Sequence, residues 1–227
     1  GHGWLLVGGE KMSKSKLTGI APNQITDSFG SDAFRYYFMK AIGFGSDGSF
    51  SWEDLSARYN AELANGFGNL ASRSIAMVKK YFDGVVPAPG EYLEADNQVI
   101  ATAKRAVTEA DAAIDQVAIH EAIQKSWLLV DELNNYITSQ APWVLAKDEA
   151  NKERLGTVMY VIVEGLRVLN ILLAPIMPKA TGKLWAAIGE GELAAQTIST
   201  AALWGGTKAG FVLKDLEPLF PRVDQAE

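Results

Sequence analysis

The sequence predicts a mainly α protein: an antiparallel helix bundle preceded by a small α/β segment. Three observations carry this reading. Apolar residues recur at helical spacing through most of the chain beyond Phe50. The long amphipathic stretches are separated by short loops punctuated by Pro and Gly, which favours antiparallel neighbours. A strand signal, "GWLLVGG", stands near the beginning and is ended by two glycines.

The elements follow in order. After the strand comes a Lys/Ser loop. "APNQITDSFG" places Pro22 at a helix start and Gly30 at its stop. "SDAFRYYFMKAIG" begins with Ser31 as the expected cap, and Phe34, Tyr37, Phe38 and Ile42 fall at helical spacing. "GFGSDGSF" is a turn-rich connection. "SWEDL" fits a capping box, with Ser51 as cap and Asp54 three residues on. The helix it opens runs to about Phe82, with Leu55, Tyr59, Leu63, Phe67, Leu70 and Met77 in phase. Gly66 and Gly68 predict a kink or a helix-to-helix junction within it. "DGVVPAPGEY" reads as a loop. Helices are expected over 94–115, 117–140, 149–173 and 179–188, with Pro142, Pro175 and Pro178 marking ends or kinks. "WGGTKAGFVLKDLEPLFPRV" lacks helical period and reads as an extended tail packed back on the body.

Composition narrows the function classes. At 48% apolar, the 227 residues can bury a core, and a disordered chain is excluded. There is no cysteine, so disulfides, thiolate metal sites and thiol catalysis are excluded. The two histidines, His2 and His120, lie far apart, and no metal site is expected in this chain. The net charge of -6 disfavours nucleic acid on average, while leaving room for a locally basic face. No apolar run reaches bilayer length. The longest candidate, "YVIVEGLRVLNILLAPIM", carries Glu164, Arg167 and Asn170 and reads as a buried helix. No signal-peptide pattern is visible. The first apolar run starts at Trp4, with no initiator Met, which reads as a fragment of a larger fold.

The segment "GGEKMSKSKLTG" concentrates three lysines and two serines between Lys11 and Lys16, with glycines on both sides. Lysines three apart can place two ammonium groups around one phosphate chain. Hydroxyls and glycine-flanked N–H groups add donors, and glycine lets the loop close and reopen. Walker A spacing is absent. A plain solvated turn is the other reading of such a cluster.

The string "KMSKS", Lys11 to Ser15, is identical to the signature of class I aminoacyl-tRNA synthetases. Its context is similar too, with a strand before it and "DAFRYYF" on a helix about twenty residues later. The resemblance implies that Lys11, Met12, Ser13, Lys14 and Ser15 bind ATP, supplied with Mg2+ as a substrate. It also implies that Lys11 and Lys14 are catalytic, Lys14 being the main phosphate contact. "FSWEDLSARYNAELANGFGNLASRSIAMV", "QAPWVLAK" and "EPLFPRV" resemble the methionyl-tRNA synthetase family of bacterial type, and that resemblance covers essentially the whole chain.

The family implies further expectations. Residues 1–65 would be the end of a catalytic domain with its stem-contact segment. Residues 66–193 would be an anticodon-binding bundle, and 194–227 a tail packed on it. Partners would be tRNA(Met), ATP, methionine and the remainder of the synthetase, in the cytoplasm and away from membranes. Asn69, Arg73 and Trp143 would meet the anticodon. The His-Ile-Gly-His signature and the Rossmann fold that carries it are absent from this chain, so alone it is expected to be inactive.

The residues themselves leave alternatives. Asn69 and Arg73, four apart, share a helix face and suit a base edge and a phosphate, or form an ordinary solvated pair. Trp143, after Pro142, either stacks on an unpaired base or packs as an aromatic anchor. Arg35, Tyr36 and Tyr37 are candidates for the inner bend of a tRNA, although Tyr37 is in phase with the core. Lys79 and Lys80 add phosphate attraction or plain solubility. His120 reads as a surface or capping residue. Three rivals stand beside the leading function: another class I synthetase (leucine, isoleucine, valine or cysteine type), a non-catalytic helical RNA-binding or scaffolding module, and a purely structural bundle.

Overall fold

The computed structural model describes residues 3–7, 10–11 and 19–223. A three-stranded sheet leads the chain. Strand β1 (Leu5–Val7) lies between β2 (Glu10–Lys11) and β3 (Gly48–Phe50). β1 pairs antiparallel with β2 and parallel with β3. The parallel pair needs a crossover. Helices α1 (Pro22–Phe29) and α2 (Ser31–Ala41) provide it. Ile25, Tyr37, Phe50 and Leu55 form a small core beneath the sheet.

Pro22 opens α1 as expected, and the Gln24 side chain accepts from the Ala21 N–H at 2.9 Å. The start of α2 differs from expectation. Gly30, at φ 83°, occupies the cap position, and Ser31 is already helical. One residue serves both as the stop of α1 and as the start of α2. Only glycine takes that φ without strain. The buried Ser31 hydroxyl caps nothing and has no partner.

Ser51 does cap α3 (Trp52–Arg58), accepting from the Asp54 N–H at 3.1 Å. The junction expected at Gly66 and Gly68 takes the form of a change of helix type rather than a break. The chain stays helical from Trp52 to Phe82, passing through a π-helical segment, Tyr59–Gly68, into α4 (Asn69–Phe82). The glycines close that wider segment. A Cβ on Gly68 would lie 2.9 Å from the Leu63 carbonyl and 3.6 Å from the Phe220 ring. Its absence lets the C-terminal tail lie against the helix.

The bundle consists of α4, α5 (Glu94–Asp115), α6 (Ile119–Gln140), α8 (Lys152–Leu173) and α9 (Pro178–Ile188). α8 is the central helix and is buried along almost its whole length. Glu149–Leu173 is long and apolar enough to cross a membrane by length and composition, contrary to the expectation that no run would be. It sits instead inside the bundle, wrapped by α4, α5, α6 and α9. Its buried charges are paired. Arg167 donates to both Glu164 oxygens, at 2.9 and 2.7 Å.

That pair also holds the tail. Glu164 accepts from the N–H groups of Gly205, Gly206 and Thr207, and Arg167 donates to the Thr200 and Leu203 carbonyls. A Cβ on Gly206 would come within 2.6 Å of the Arg167 guanidinium carbon. Beyond this latch the tail runs extended. It bridges Val85 to Val212, buries Leu213, Leu219 and Phe220, and reaches back to the π segment through Tyr59 to the Pro221 carbonyl at 2.7 Å. A short helix, α10 (Ile198–Ala202), precedes the latch, where the sequence shows no clear period.

Candidate functional site

The Lys/Ser loop leaves the sheet through a hairpin. Leu6 of β1 pairs with Lys11 of β2. The backbone of Lys11 is therefore fixed at the end of β2. Met12, Ser13, Lys14 and Ser15 lie outside the described residues.

Asn69 and Arg73 sit on the first turns of α4, where the π segment gives way to regular α-helix. Asn69 is exposed and Arg73 half-buried. The Arg73 guanidinium leans on α6, donating through Nη2 to Asn134 Oδ1 at 3.2 Å and to the Asn134 carbonyl at 3.4 Å. Its Nε is buried without a partner. Burial lowers its pKa, although an arginine so placed keeps its charge. No carboxylate pairs with it among the described residues. A positive, partly desolvated fork without a counter-charge suits a phosphate or a base edge.

Asn134 was not visible as a site residue in the sequence. It accepts from Arg73 through Oδ1 while its Nδ2 donates to the Val130 carbonyl at 2.9 Å. That second bond fixes the amide orientation that Arg73 needs. No sequence rule pairs residues 73 and 134 across two helices.

Trp143 is the second residue of the short helix α7 (Pro142–Leu145). It is 46% exposed, and its neighbour Val144 is 52% exposed. Pro142 is buried and supplies the fixed first position of α7. Ala141, between α6 and α7, takes a left-handed conformation (φ 43°, ψ 64°). Asn134 stands six residues before the end of α6, about 9 Å of helix. Arg73 thus meets α6 about 9 Å before the helix end that leads into the turn carrying Trp143.

The other candidates face inward or are already paired. Arg35 donates to the carbonyls of Ile176 and Pro175 at 2.9 and 2.7 Å, locking α2 to the α8–α9 junction. Tyr36 is buried and hydrogen-bonded to Glu62, and burial drives its hydroxyl pKa strongly upward. Tyr37 donates to Asp54, and burial together with that bond pushes it up to about 12. These three build the fold. Lys79 pairs with Asp215 of the tail. Lys80 is exposed, its ammonium 5.5 Å from the Tyr81 ring centroid. His120 is half-buried over Gly43, its Cε1 3.6 Å from where a Cβ would stand, and it caps nothing. Among the described residues, no group of three or more His, Cys, Asp or Glu stands close enough to hold a metal.

The chain thus has two parts, a small α/β segment that leads into the Lys/Ser stretch and a helix bundle. Two family models divide the chain accordingly. "tRNA synthetases class I (M)" matches residues 1–75, and "Anticodon binding domain of methionyl tRNA ligase" matches residues 86–227. The chain belongs to the methionyl-tRNA ligase family.

Among curated relatives, the methionine–tRNA ligase of Streptomyces coelicolor is 48% identical over 99% of this chain and 43% of its own length. That of Caldanaerobacter subterraneus is 42% identical over 99% of this chain and 35% of its own length. Mycobacterium tuberculosis methionyl-tRNA synthetase in complex with methionyl-adenylate superposes with a TM-score of 0.91 at 37% identity, over 97% of this chain and 43% of that one. The chain therefore spans well under half the length of the relatives it matches.

Proposed function

We propose that this chain works as the C-terminal part of a cytoplasmic methionine–tRNA ligase. The complete enzyme would join methionine and ATP into methionyl-adenylate and pyrophosphate, then esterify the 3′ end of tRNA(Met). In this reading residues 1–65 close the catalytic domain, 66–193 read the anticodon and 194–227 brace the bundle. The sheet presents the loop Lys11–Ser15 to the triphosphate of Mg–ATP, where Lys11 and Lys14 offset the charge that develops on the departing pyrophosphate. At the far end, Asn69 and Arg73 contact bases or phosphates of the anticodon, and Trp143 stacks on one base. The observation that carries the reading is the pairing of family matches with an Arg73 that has no carboxylate partner among the described residues and an exposed Trp143.

The two halves are tested separately in the complete ligase. Lys14→Ala should slow methionine-dependent ATP–pyrophosphate exchange about a hundredfold, the cost of one transition-state donor. Trp143→Ala should raise the KM for tRNA(Met) about ten- to a hundredfold, since stacking on a base is worth roughly 1–3 kcal/mol. A Lys14 variant with unchanged exchange sinks the first half, and a Trp143 variant with unchanged KM sinks the second. The 227-residue chain alone should show no exchange; detectable exchange would contradict its role as a contributing part.

A further inference from the structure

A largely buried polar cluster lies behind the turn that carries Trp143. Asp96, in the first turn of α5, is fully buried. It accepts from Arg154 Nη1 at 2.5 Å and Nη2 at 2.9 Å, from the Tyr136 hydroxyl, and from the Leu93 N–H at 2.7 Å. Arg154 Nη2 also donates to Gln140 Oε1 at 2.6 Å. Gln140 is the last residue of α6, directly before the left-handed Ala141 and three residues before Trp143.

Two features make this link more than packing. A non-glycine residue in the left-handed region is strained by roughly 1–2 kcal/mol. The residue before a proline normally prefers extended backbone. Ala141 meets both conditions, so the turn needs an external hold to persist. The Gln140–Arg154 bond ties the end of α6 to the start of α8, across the strained residue.

We infer that Arg154, braced by Asp96, acts through Gln140 as a positioning device that keeps the α6–α7 turn aimed so that Trp143 faces the nucleic acid. This rests on the proposed role of Trp143 as a base-stacking residue.

The test uses the complete ligase and Gln140→Leu, which keeps the side-chain bulk but removes the acceptor. It leaves the Asp96–Arg154 pair intact, so folding is not at stake as it would be for Arg154→Ala. Gln140→Leu should raise the KM for tRNA(Met) about tenfold with kcat nearly unchanged, and Gln140→Glu, which keeps an acceptor oxygen, should recover most of the loss. In a Trp143→Ala background Gln140→Leu should add less than a twofold change. Independently, in 5-fluorotryptophan-labelled enzyme, the fluorine resonance assigned through Trp143→Phe should shift or broaden in Gln140→Leu.

An unchanged resonance and KM overturn the inference, as does a KM effect that persists in full without Trp143. If Trp143→Ala itself leaves the KM unchanged, it is the anticodon reading that fails. The fluorine resonance then decides alone whether Gln140 holds the turn.

Discussion

Converting Glu164 to Gln should destabilise the protein by about 3–5 kcal/mol. The carboxylate accepts five hydrogen bonds. Oε1 takes Arg167 Nη2 and the Gly205 and Gly206 N–H groups, and Oε2 takes Arg167 Nε and the Thr207 N–H. A glutamine keeps one acceptor oxygen. Its NH2 group would settle at the Oε2 position, where it faces two donors rather than three. Two hydrogen bonds to a charged group are lost, each worth about 1.5–3 kcal/mol. The Arg167 charge, only 7% exposed, then lacks a counter-ion, and breaking a buried pair in this way costs about 3–5 kcal/mol. The two routes agree. For a chain of this size the melting temperature should drop by about 10 °C. Circular-dichroism melts and urea titrations would measure it, and proteolysis beyond Leu203 should accelerate as the tail loosens. A loss below about 1 kcal/mol, the worth of an ordinary neutral hydrogen bond, would refute the latch argument. Replacing the pair together by Leu and Met should not restore stability, although isolated buried pairs often tolerate that exchange. Here it would also strip partners from the backbone of Thr200, Leu203 and Gly205–Thr207.

Other predictions follow from the same contacts. Gly206→Ala should cost about 1–3 kcal/mol, because the new methyl stands 2.6 Å from the Arg167 guanidinium carbon and must push the tail off α8; an unchanged melt would show that the tail yields freely. Burial alone would raise the Asp96 pKa, but hydrogen bonds from Arg154, Tyr136 and the Leu93 N–H hold it below the usual carboxylate value. Its stabilising effect is therefore complete above the unfolded-state pKa of about 3.9 and disappears as pH falls through the lower folded value. Asp96→Asn should be less stable than the parent at pH 7, and the gap should narrow below about pH 4; equal acid titrations of stability would count against the assignment.

The helices were legible because their physics is local. Ser51 and Asp54 marked a helix start that the structure keeps, and the phase of Leu55, Leu63, Phe67 and Leu70 placed those residues in the core. Glu164 and Arg167 pair with each other within α8 and Asn170 donates to the nearby Thr181 carbonyl, but the remaining bonds of the pair come from the tail. Sequence alone could not name the glycines of the tail as partners of the pair. The π segment was likewise invisible. Gly66 and Gly68 signalled an interruption, but whether a chain breaks or widens there depends on what presses against it, and Phe220 lies more than 150 residues away. Trp143 shows the same limit. Period and Pro142 placed it at a helix end, but nothing in the sequence signalled the left-handed backbone at Ala141 or the exposure of the indole. Asn134 and Arg154 gave no signal because their roles exist only between helices.

A path of paired strands and continuous helix joins the Lys11 strand to the Arg73 face. β2 is fixed to β1 and β1 to β3, and β3 leads after one residue into the helical rod from Trp52 to Phe82. From Trp52 to Arg73 this rod spans roughly 30 Å at about 1.5 Å per residue. A π segment is the natural place for such a rod to bend, and it is braced on two sides. On one, the Tyr59 hydroxyl donates to the Pro221 carbonyl, Asn60 bonds Val223, and Arg222 donates to Asn65 Oδ1 at 2.8 Å. On the other, Lys40 donates to Glu62 at 2.9 Å while lying 4.8 Å from the Trp127 ring centroid. Helix α2 is pinned in turn by Asp32, which accepts from the Ala180 N–H at the start of α9, and by Arg35 on the carbonyls of the α8–α9 junction. Bending the rod would have to break these contacts together, which opposes movement of the sheet relative to the Arg73 face. The tail, which carries no candidate site residue, thereby acquires a role. By clamping the π segment it opposes movement of the Lys11 strand relative to the side chains proposed to meet the anticodon.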